Sequence, residues 1–138
     1  MANPTTQLLR DGVNKLTTVS TIDALLVTPT MAKINAAATT NQTLVKAGAT
    51  LLKSANLRNF KAASVFVKIF DKATAPIAGT DVPVFQYALG SGDAIRVAEI
   101  TGLYTFTLGF GYTITALAAD NDATAVVAGD VVGFFGYT

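Results

Sequence analysis

The sequence has no cysteine, no histidine and no tryptophan among its 138 residues. Without cysteine, the fold cannot be held by disulfide bonds. Without histidine, the chain lacks the commonest general base and the commonest ligand of transition metals. These absences exclude Cys/His zinc sites and nucleophilic sites that depend on a histidine base. We therefore expect no cofactor, no metal and no enzymatic activity.

Two kinds of catalytic site do not need histidine, and neither has a clear pattern here. A Ser–Lys pair would use Ser54 with Lys53 or Ser64 with Lys68, but neither pair belongs to a recognised nucleophile motif. A glycan hydrolase needs paired carboxylates, and Glu99 is the single glutamate of the chain. The sequence thus gives an enzyme little support.

The stretch Asp120-Asn121-Asp122 would supply the other carboxylate of such a hydrolase, at Asp120. Together with Asp130, it also offers oxygen ligands of the kind that calcium prefers. The spacing matches no calcium loop, because no glycine stands at the turn position and no glutamate follows. We favour turn formation, in which Asp and Asn bond their own backbone.

Charged residues are scarce, at 14% of the chain against about a quarter in typical domains. This indicates either a surface covered by a partner or a surface rich in Thr, Asn and Ala. Residues 1–72 carry +6 and residues 73–138 carry −5, which leaves +1 in total. Such polarity suits subunits that meet positive face to negative face, unless the two halves interleave and the charges mix. The aromatic rings of the basic half suit a core, so we expect no nucleic-acid partner.

The first 40 residues are predicted to form an N-terminal extension. They lack the pattern of a signal peptide, and no apolar run approaches the ~18 residues of a membrane helix. We expect synthesis in a cytoplasm and no membrane partner. Residues 5–16 have helical spacing, but Gly12 costs a helix about 1 kcal/mol, so a short helix and an extended arm both stay open. The candidate partner-binding residues of this arm are Leu8, Leu9, Val13 and Leu16.

Beyond the arm, the pattern is that of short strands separated by turns. Eight strands are predicted in residues 41–138, at 43–46, 49–55, 63–70, 83–89, 95–100, 103–108, 112–117 and 130–137. Within the first 40 residues, 21–28 is predicted to be a strand and 31–38 alternates loosely. Ala47-Gly48 is a turn signal, and Gly109-Phe110-Gly111 is predicted to be a bulge or turn. Because the turns recur every ~8–12 residues, the sequence predicts an all-β antiparallel sandwich or jelly roll of about eight strands. Residues 1–40 would form the extension with a strand, and residues 41–138 the jelly-roll domain.

The clearest predicted strand is 63–70. Its side chains alternate in character, so one set faces one way and the other set faces the opposite way. The first set is Val65, Val67 and Ile69, and the second is Phe66, Lys68 and Phe70.

Three segments resemble small structural proteins of tailed bacteriophages. They are TLVKAGATLLKSANLRN, KAASVFVKIFDKATAPIAGTDVPVFQYAL and TGLYTFTLGFGYTITALAADNDATAVVAGDVVGFFGYT. They span most of the chain from Asn41 onward and are similar to capsid cement (decoration) proteins with a jelly-roll fold. The residues that match the loop of this family, which we interpret as loop formers, are Lys72, Pro76, Gly79, Asp81 and Pro83. The resemblance does not extend to the first 40 residues.

The resemblance implies a virion protein on the capsid surface that bridges neighbouring major capsid subunits. Its partners would be the major capsid protein and copies of itself, with a homodimer favoured and a trimer as the alternative. The family has no catalytic residues to transfer. The same segments also fit a tail or fibre module that recognises the host or binds glycans, and this alternative stays open.

Overall fold

The computed structural model describes residues 28–138, which form nine antiparallel strands and no helix. The strands are β1 (Thr30–Asn35), β2 (Thr43–Ala47), β3 (Thr50–Asn59), β4 (Val65–Asp71), β5 (Phe85–Leu89), β6 (Ala94–Ala98), β7 (Tyr104–Phe106), β8 (Gly109–Thr115) and β9 (Val131–Tyr137). The prediction of an all-β chain with short strands is confirmed for this part of the protein. The segment 5–16, for which a short helix and an extended arm both stay open, and almost all of the predicted strand at 21–28 lie outside the described residues.

The strands form two sheets that pack face to face. Sheet I has the order β1-β9-β3-β6, with β7 also paired to β3, and sheet II has the order β2-β8-β4-β5. Apart from β7, the pairs are nested along the chain: β1 with β9, β2 with β8, β3 with β6, and β4 with β5. Nested pairing rolled into two four-stranded sheets is the jelly-roll topology. The predicted fold class is therefore confirmed.

The alternation of β4 sets its two faces as the sequence predicts. Val65, Val67 and Ile69 are fully buried between the sheets. Burying such a side chain contributes about 1.5–3 kcal/mol relative to exposure. Phe66 and Lys68 point to the outer side of sheet II, so each residue of this strand has the face that its position implies.

A chain of aromatic rings runs through the interior. Phe85 of β5 lies 5.2 Å from Tyr104, which lies 4.7 Å from Phe106, between ring centroids. Phe106 stacks on Phe110 at 4.8 Å, and Phe110 meets Phe135 edge to face at 5.1 Å. Each such contact contributes about 0.5–1.5 kcal/mol beyond the area that it buries. The rings thus connect β5 and β8 of sheet II with β7 and β9 of sheet I.

Strands that follow each other in sequence do not always pair. Gly48 has a φ of 83°, which suits glycine, and it reverses the chain between β2 and β3 as the turn signal predicts. However, β2 belongs to sheet II and β3 to sheet I, so this turn crosses between the sheets. Gly109-Phe110-Gly111 lies within β8, and the irregularity in the pairing falls in β2, between Leu44 and Lys46.

Residues 30–35 lie in the predicted extension and form a strand of sheet I. Strand β1 pairs with β9 along its full length, from Thr30 opposite Tyr137 to Asn35 opposite Val132. Its inward residue Ile34 is buried in the common core. The sandwich therefore begins no later than β1.

Asn59, at the end of β3, connects three separate parts of the chain. Its side chain is fully buried, and its Nδ2 donates hydrogen bonds to the carbonyl oxygens of Ala63, Leu89 and Gly90 at 2.8–3.0 Å. Its Oδ1 accepts a hydrogen bond from the backbone N–H of Lys61 at 2.8 Å. One side-chain amide thus provides hydrogen-bond partners for backbone groups of the β3–β4 loop and of the turn between β5 and β6.

Asp71, the last residue of β4, holds the turn between β7 and β8. Its carboxylate accepts hydrogen bonds from the backbone N–H groups of Thr107, Leu108 and Gly109 and from the Thr107 hydroxyl. Burial opposes the ionisation of Asp71, but these donors outweigh it and lower the pKa of the carboxyl. The charged form is therefore more favourable in the folded protein than in the unfolded chain.

We expect Asp71→Asn to lower the free energy of unfolding by about 2 kcal/mol at pH 7, because hydrogen bonds to a charged acceptor are lost. A lowered pKa adds stability above the ordinary value of 3.8, and this stability disappears as the pH falls through the lower folded pKa. The difference between the wild type and the variant should therefore shrink between pH 4 and pH 2, as measured by urea denaturation. Glu99→Gln, at an exposed position, is the control, with an effect of about 0.5 kcal/mol or less. An equal deficit at pH 7 and pH 2 would contradict the role of the charge.

Candidate functional site

Two loops of the chain cover the outer face of sheet II. The loop 72–84 connects β4 to β5, and the loop 116–130 connects β8 to β9. Pro76 of the first loop is buried against Gly111 of β8, where an added Cβ would lie 2.9 Å from the proline Cδ. The two loops also meet at Gly79, whose Cβ position is 3.1 Å from the Cβ of Ala123. The part of this face over β4 and β8 is therefore covered by the fold itself, whereas the outward residues Gln86 and Ala88 of β5 are exposed.

Lys68 lies beneath these loops and is fully buried. Its Nζ donates a hydrogen bond of 2.5 Å to the carbonyl oxygen of Ala119 in the loop 116–130. Burial lowers the pKa of this ammonium group, and the negative charges of Asp122 and Asp120 oppose that shift. Thr113 stands opposite Lys68 on β8, and its buried hydroxyl has no hydrogen-bond partner among the described residues. Lys68 thus connects the loop to the sheet from within, with no access to solvent.

Among residues 28–138, no loop covers the outer face of sheet I. Its outward residues form three rows across β1, β9, β3 and β6, and all of them except Gly136 are exposed or half-buried. The rows are Lys33–Phe134–Asn56–Arg96, Met31–Gly136–Ser54–Ala98 and Asn35–Val132–Arg58–Ala94. We call these three rows the open face.

A shallow concavity of about 330 Å³ lies on the β3–β6 side of the open face. The outward side chains that line it are Ser54, Asn56, Arg96, Ala98 and Phe134. Ala98 contributes only a methyl group to this part of the face, whereas the side chains of Ser54, Met31 and Pro29 fill the space beside Gly136. A projecting group of a partner can enter here without moving the backbone.

The open face carries three cations and, in its central row, the half-buried ring of Phe134. The guanidinium of Arg58 lies over the ring of Phe60, 4.8 Å from its centroid. Lys33 and Arg96 end the central row, and Arg58 lies in the adjacent row. Since neighbouring strands are ~4.8 Å apart, Lys33 and Arg96 are separated by about 14 Å across the sheet. None of the three rows contains a carboxylate. The open face is thus positively charged with an apolar centre.

Most acidic side chains of the described residues are used within the chain. Five aspartates accept hydrogen bonds from nearby backbone N–H groups: Asp71, Asp81, Asp93, Asp122 and Asp130. Two of them also pair with lysines, Asp81 with Lys72 at 2.5 Å and Asp130 with Lys61 at 3.7 Å. Within residues 28–138, no ion pair compensates the cations of the open face.

The structure separates the groups that sequence analysis weighed for catalysis. Lys53 donates to the carbonyl oxygen of Ile100 and Lys68 to that of Ala119, so neither amine is directed to a neighbouring serine. Glu99 follows β6 of sheet I, whereas Asp120 lies in the loop over sheet II. The two carboxylates therefore do not form a pair.

The aspartates weighed as calcium ligands are bonded to their own loop. The Asp122 carboxylate accepts hydrogen bonds from the N–H groups of Leu117 and Thr124, and Asp130 accepts one from Val127. Among the residues that the structure describes, no cluster of three acidic, histidine or cysteine side chains is placed to hold a metal ion. The favoured interpretation of these residues as turn formers agrees with this geometry.

The candidate partner-binding residues of the arm cannot be placed. Leu8, Leu9, Val13 and Leu16 lie outside the described residues. The sequence halves, in contrast, can be compared directly: β1 and β3 of the basic half lie in sheet I, and β2 and β4 lie in sheet II. The halves interleave, so the division between +6 and −5 along the sequence does not become a division between the two sheets.

Comparison with known proteins identifies no relative. No family model, curated protein or solved structure matches the chain. The resemblance to phage cement proteins therefore stays a prediction from the three sequence segments. In residues 28–138, no helix has the length and apolar character needed to span a membrane.

Sequence analysis did not find the open face. Lys33, Arg58 and Arg96 lie far apart along the chain, and only the strand register brings them into one surface. A partial signal was present in β9, where Val132 and Phe134 alternate with the core residues, so they had to point away from the core. The cations beside them could not be assigned without knowing which strands pair.

Proposed function

We propose that this protein is a structural subunit of a phage virion that binds the outside of the capsid and cements neighbouring major capsid subunits. The observation that carries this proposal is the agreement between the resemblance and the fold. The three segments resemble cement proteins with a jelly roll, and the nested strand pairs of this chain form that topology. An uncovered sheet face supports the same proposal, because a cement protein needs surface for its partners.

The protein would stabilise the assembled shell by mass action. A protein that binds only the assembled state stabilises it by about 2.7 kcal/mol per site when its free concentration is 100 times Kd. Repetition over a symmetric lattice adds avidity to modest single contacts. A sandwich with a packed core loses little conformational entropy when it binds, so the contact energy is retained. We propose a homodimer as the bound unit, with a trimer as the alternative, and light scattering of the purified protein distinguishes them.

The test is whether the purified protein co-sediments with intact heads of the phage that encodes it. We expect saturable binding in near-stoichiometric ratio to the major capsid protein, and a higher midpoint temperature of capsid disruption when the protein is bound. Isolated tails serve as the control. Binding to tails or to a glycan array without binding to heads would contradict the cement function and favour the tail or fibre alternative.

The role of the N-terminal arm needs a separate variant. Deletion of residues 1–27 leaves β1 in place, whereas deletion of residues 1–40 would remove an entire strand and the buried Ile34. We expect the shorter deletion to lower retention on heads at least about tenfold, because the apolar residues of the arm would add contact area on a neighbour. Near-UV circular dichroism verifies that the sandwich is intact. Retention equal to that of the full chain would reject the contribution of Leu8, Leu9, Val13 and Leu16.

A further inference from the structure

The open face has the composition of a protein-binding surface. Interfaces combine an apolar centre with a polar rim, and they are enriched in aromatic side chains and arginine. Here Phe134 lies in the central row, which Lys33 and Arg96 end, and Arg58 lies in the adjacent row. The concavity beside Phe134 offers a place for one projecting side chain of the partner.

The charge of the open face selects the chemistry of the partner. The face presents three cations and no carboxylate, and most acids of the described residues are bonded within their own loops. A like-charged partner would be repelled, whereas an acidic partner is attracted over a distance of about 10 Å at 0.1 M salt. Positive charge without an ion-pair partner among residues 28–138 therefore fits an acidic surface.

A protein fits this face better than a nucleic acid does. Single strands are bound by several exposed aromatic rings beside a basic groove. The rows of the open face contain one ring, which is half-buried, and one exposed ring, Phe60, follows β3 and lies against Arg58, contrary to the core position expected for the rings of the basic half. The central row of the open face instead contains, in order, a cation, an aromatic ring, an amide and a second cation, at Lys33, Phe134, Asn56 and Arg96. Side chains of a folded partner can pair with each of these groups.

We infer that the open face is the surface by which this protein binds its neighbour in the shell, and that the neighbour presents an acidic surface with a projecting side chain that enters the concavity. This inference rests on the proposed cement function and specifies its contact. The loops over sheet II are the competing surface, because they expose apolar side chains such as Val82, which is 74% exposed.

Charge reversal on the full-length protein tests the inference in the head-binding assay. Arg96→Glu and Lys33→Glu place a carboxylate at either end of the central row, and both positions are exposed, so folding should be retained. We expect each variant to bind intact heads at least about tenfold more weakly than the wild type. Binding of the wild type should also weaken steeply between 50 mM and 500 mM salt.

Two control variants make the result specific. Lys46→Glu, on the edge strand β2 of sheet II, changes the net charge equally and should bind within about twofold of the wild type. Val82→Glu probes the competing surface and should also bind like the wild type. Thermal unfolding of all variants verifies that differences in binding do not come from misfolding.

Each other outcome would overturn the inference. If wild-type protein binds heads and Arg96→Glu and Lys33→Glu bind equally well, the cement function stands and the open face is not the contact. An equal loss in Lys46→Glu would indicate net charge alone, and a selective loss in Val82→Glu would assign the contact to the loops. Wild-type binding to a DNA oligonucleotide that Arg96→Glu abolishes, without binding to emptied heads, would identify a nucleic-acid surface. If the wild type does not bind heads, the cement function fails and the inference fails with it.

Discussion

Asn59→Ala is expected to lower the free energy of unfolding by about 3–5 kcal/mol. The change removes the donor to the carbonyl oxygens of Ala63, Leu89 and Gly90, of which Gly90 keeps a hydrogen bond from the N–H of Asp93, and it leaves the N–H of Lys61 without its acceptor. Each buried polar group without a partner costs about 1–3 kcal/mol, and partial entry of water into the space reduces the sum. For a domain of this size the midpoint of thermal unfolding should fall by roughly 10–20 °C.

Matched variants separate the hydrogen bonds from the loss of volume. Asn59→Asp keeps the shape but replaces the donating amide by a carboxylate, which faces the three carbonyl oxygens and should destabilise at least as much as alanine at pH 7. Asn56→Ala removes the same group on the same strand, at a half-buried outward position, and should cost about 0.5 kcal/mol or less. Similar values for Asn56→Ala and Asn59→Ala in urea denaturation would show that the three carbonyl contacts contribute little.

Two substitutions of Lys68 are expected to change the free energy of unfolding by different amounts. Lys68→Ala should cost about 2–4 kcal/mol, because it leaves a cavity between sheet II and the loop 116–130 and removes the donor to Ala119. Lys68→Met retains the length of the aliphatic stem and removes the buried charge, so its stability should be within about 1 kcal/mol of the wild type. Chemical denaturation at pH 7 measures both. A loss for methionine as large as that for alanine would mean that the hydrogen bond to Ala119 outweighs the burial of the charge.

The same lysine predicts a rise in stability at alkaline pH. Its folded pKa lies below the ordinary value of 10.5, so between these two values the unfolded chain binds more protons than the folded protein. The free energy of unfolding should therefore increase with pH in this window. Lys68→Met has no titrating group at this position and should lack this increment. Parallel slopes for the wild type and Lys68→Met between pH 7 and pH 10 would contradict the lowered pKa.

The strands and their faces were accessible from the sequence because they depend on local alternation. Val65, Val67 and Ile69 had to share one face once residues 63–70 were assigned to a strand, and the structure confirms this. Turn positions could be predicted for the same reason. Gly48 and Gly102 interrupt the alternation of the predicted strands on either side of them, and both adopt positive φ. Features of this kind need only the residues on either side.

Strand partners and burial by distant loops could not be predicted from the sequence. The turn at Gly48 shows where the chain reverses but not that β2 and β3 enter different sheets, because pairing depends on residues far along the chain. Lys68 had the correct face, yet its burial depends on a loop that begins almost 50 residues later, at Ala116. The open face was missed for the same physical reason, since its cations meet only through long-range register.

The nested pairing of the strands has a consequence for biosynthesis. Strand β1 has its partner in β9, and β3 is covered on one side by the same strand, so a nascent chain cannot complete sheet I before β9 leaves the ribosome. Until then, β1 and β3 present unpaired edges that can associate with other chains. Folding of sheet I should therefore follow the emergence of β9 and be slow, on the scale of milliseconds to seconds that long-range β topologies show. Ribosome stalling before Val131 should therefore leave a protease-sensitive chain, and release of the full chain should restore resistance.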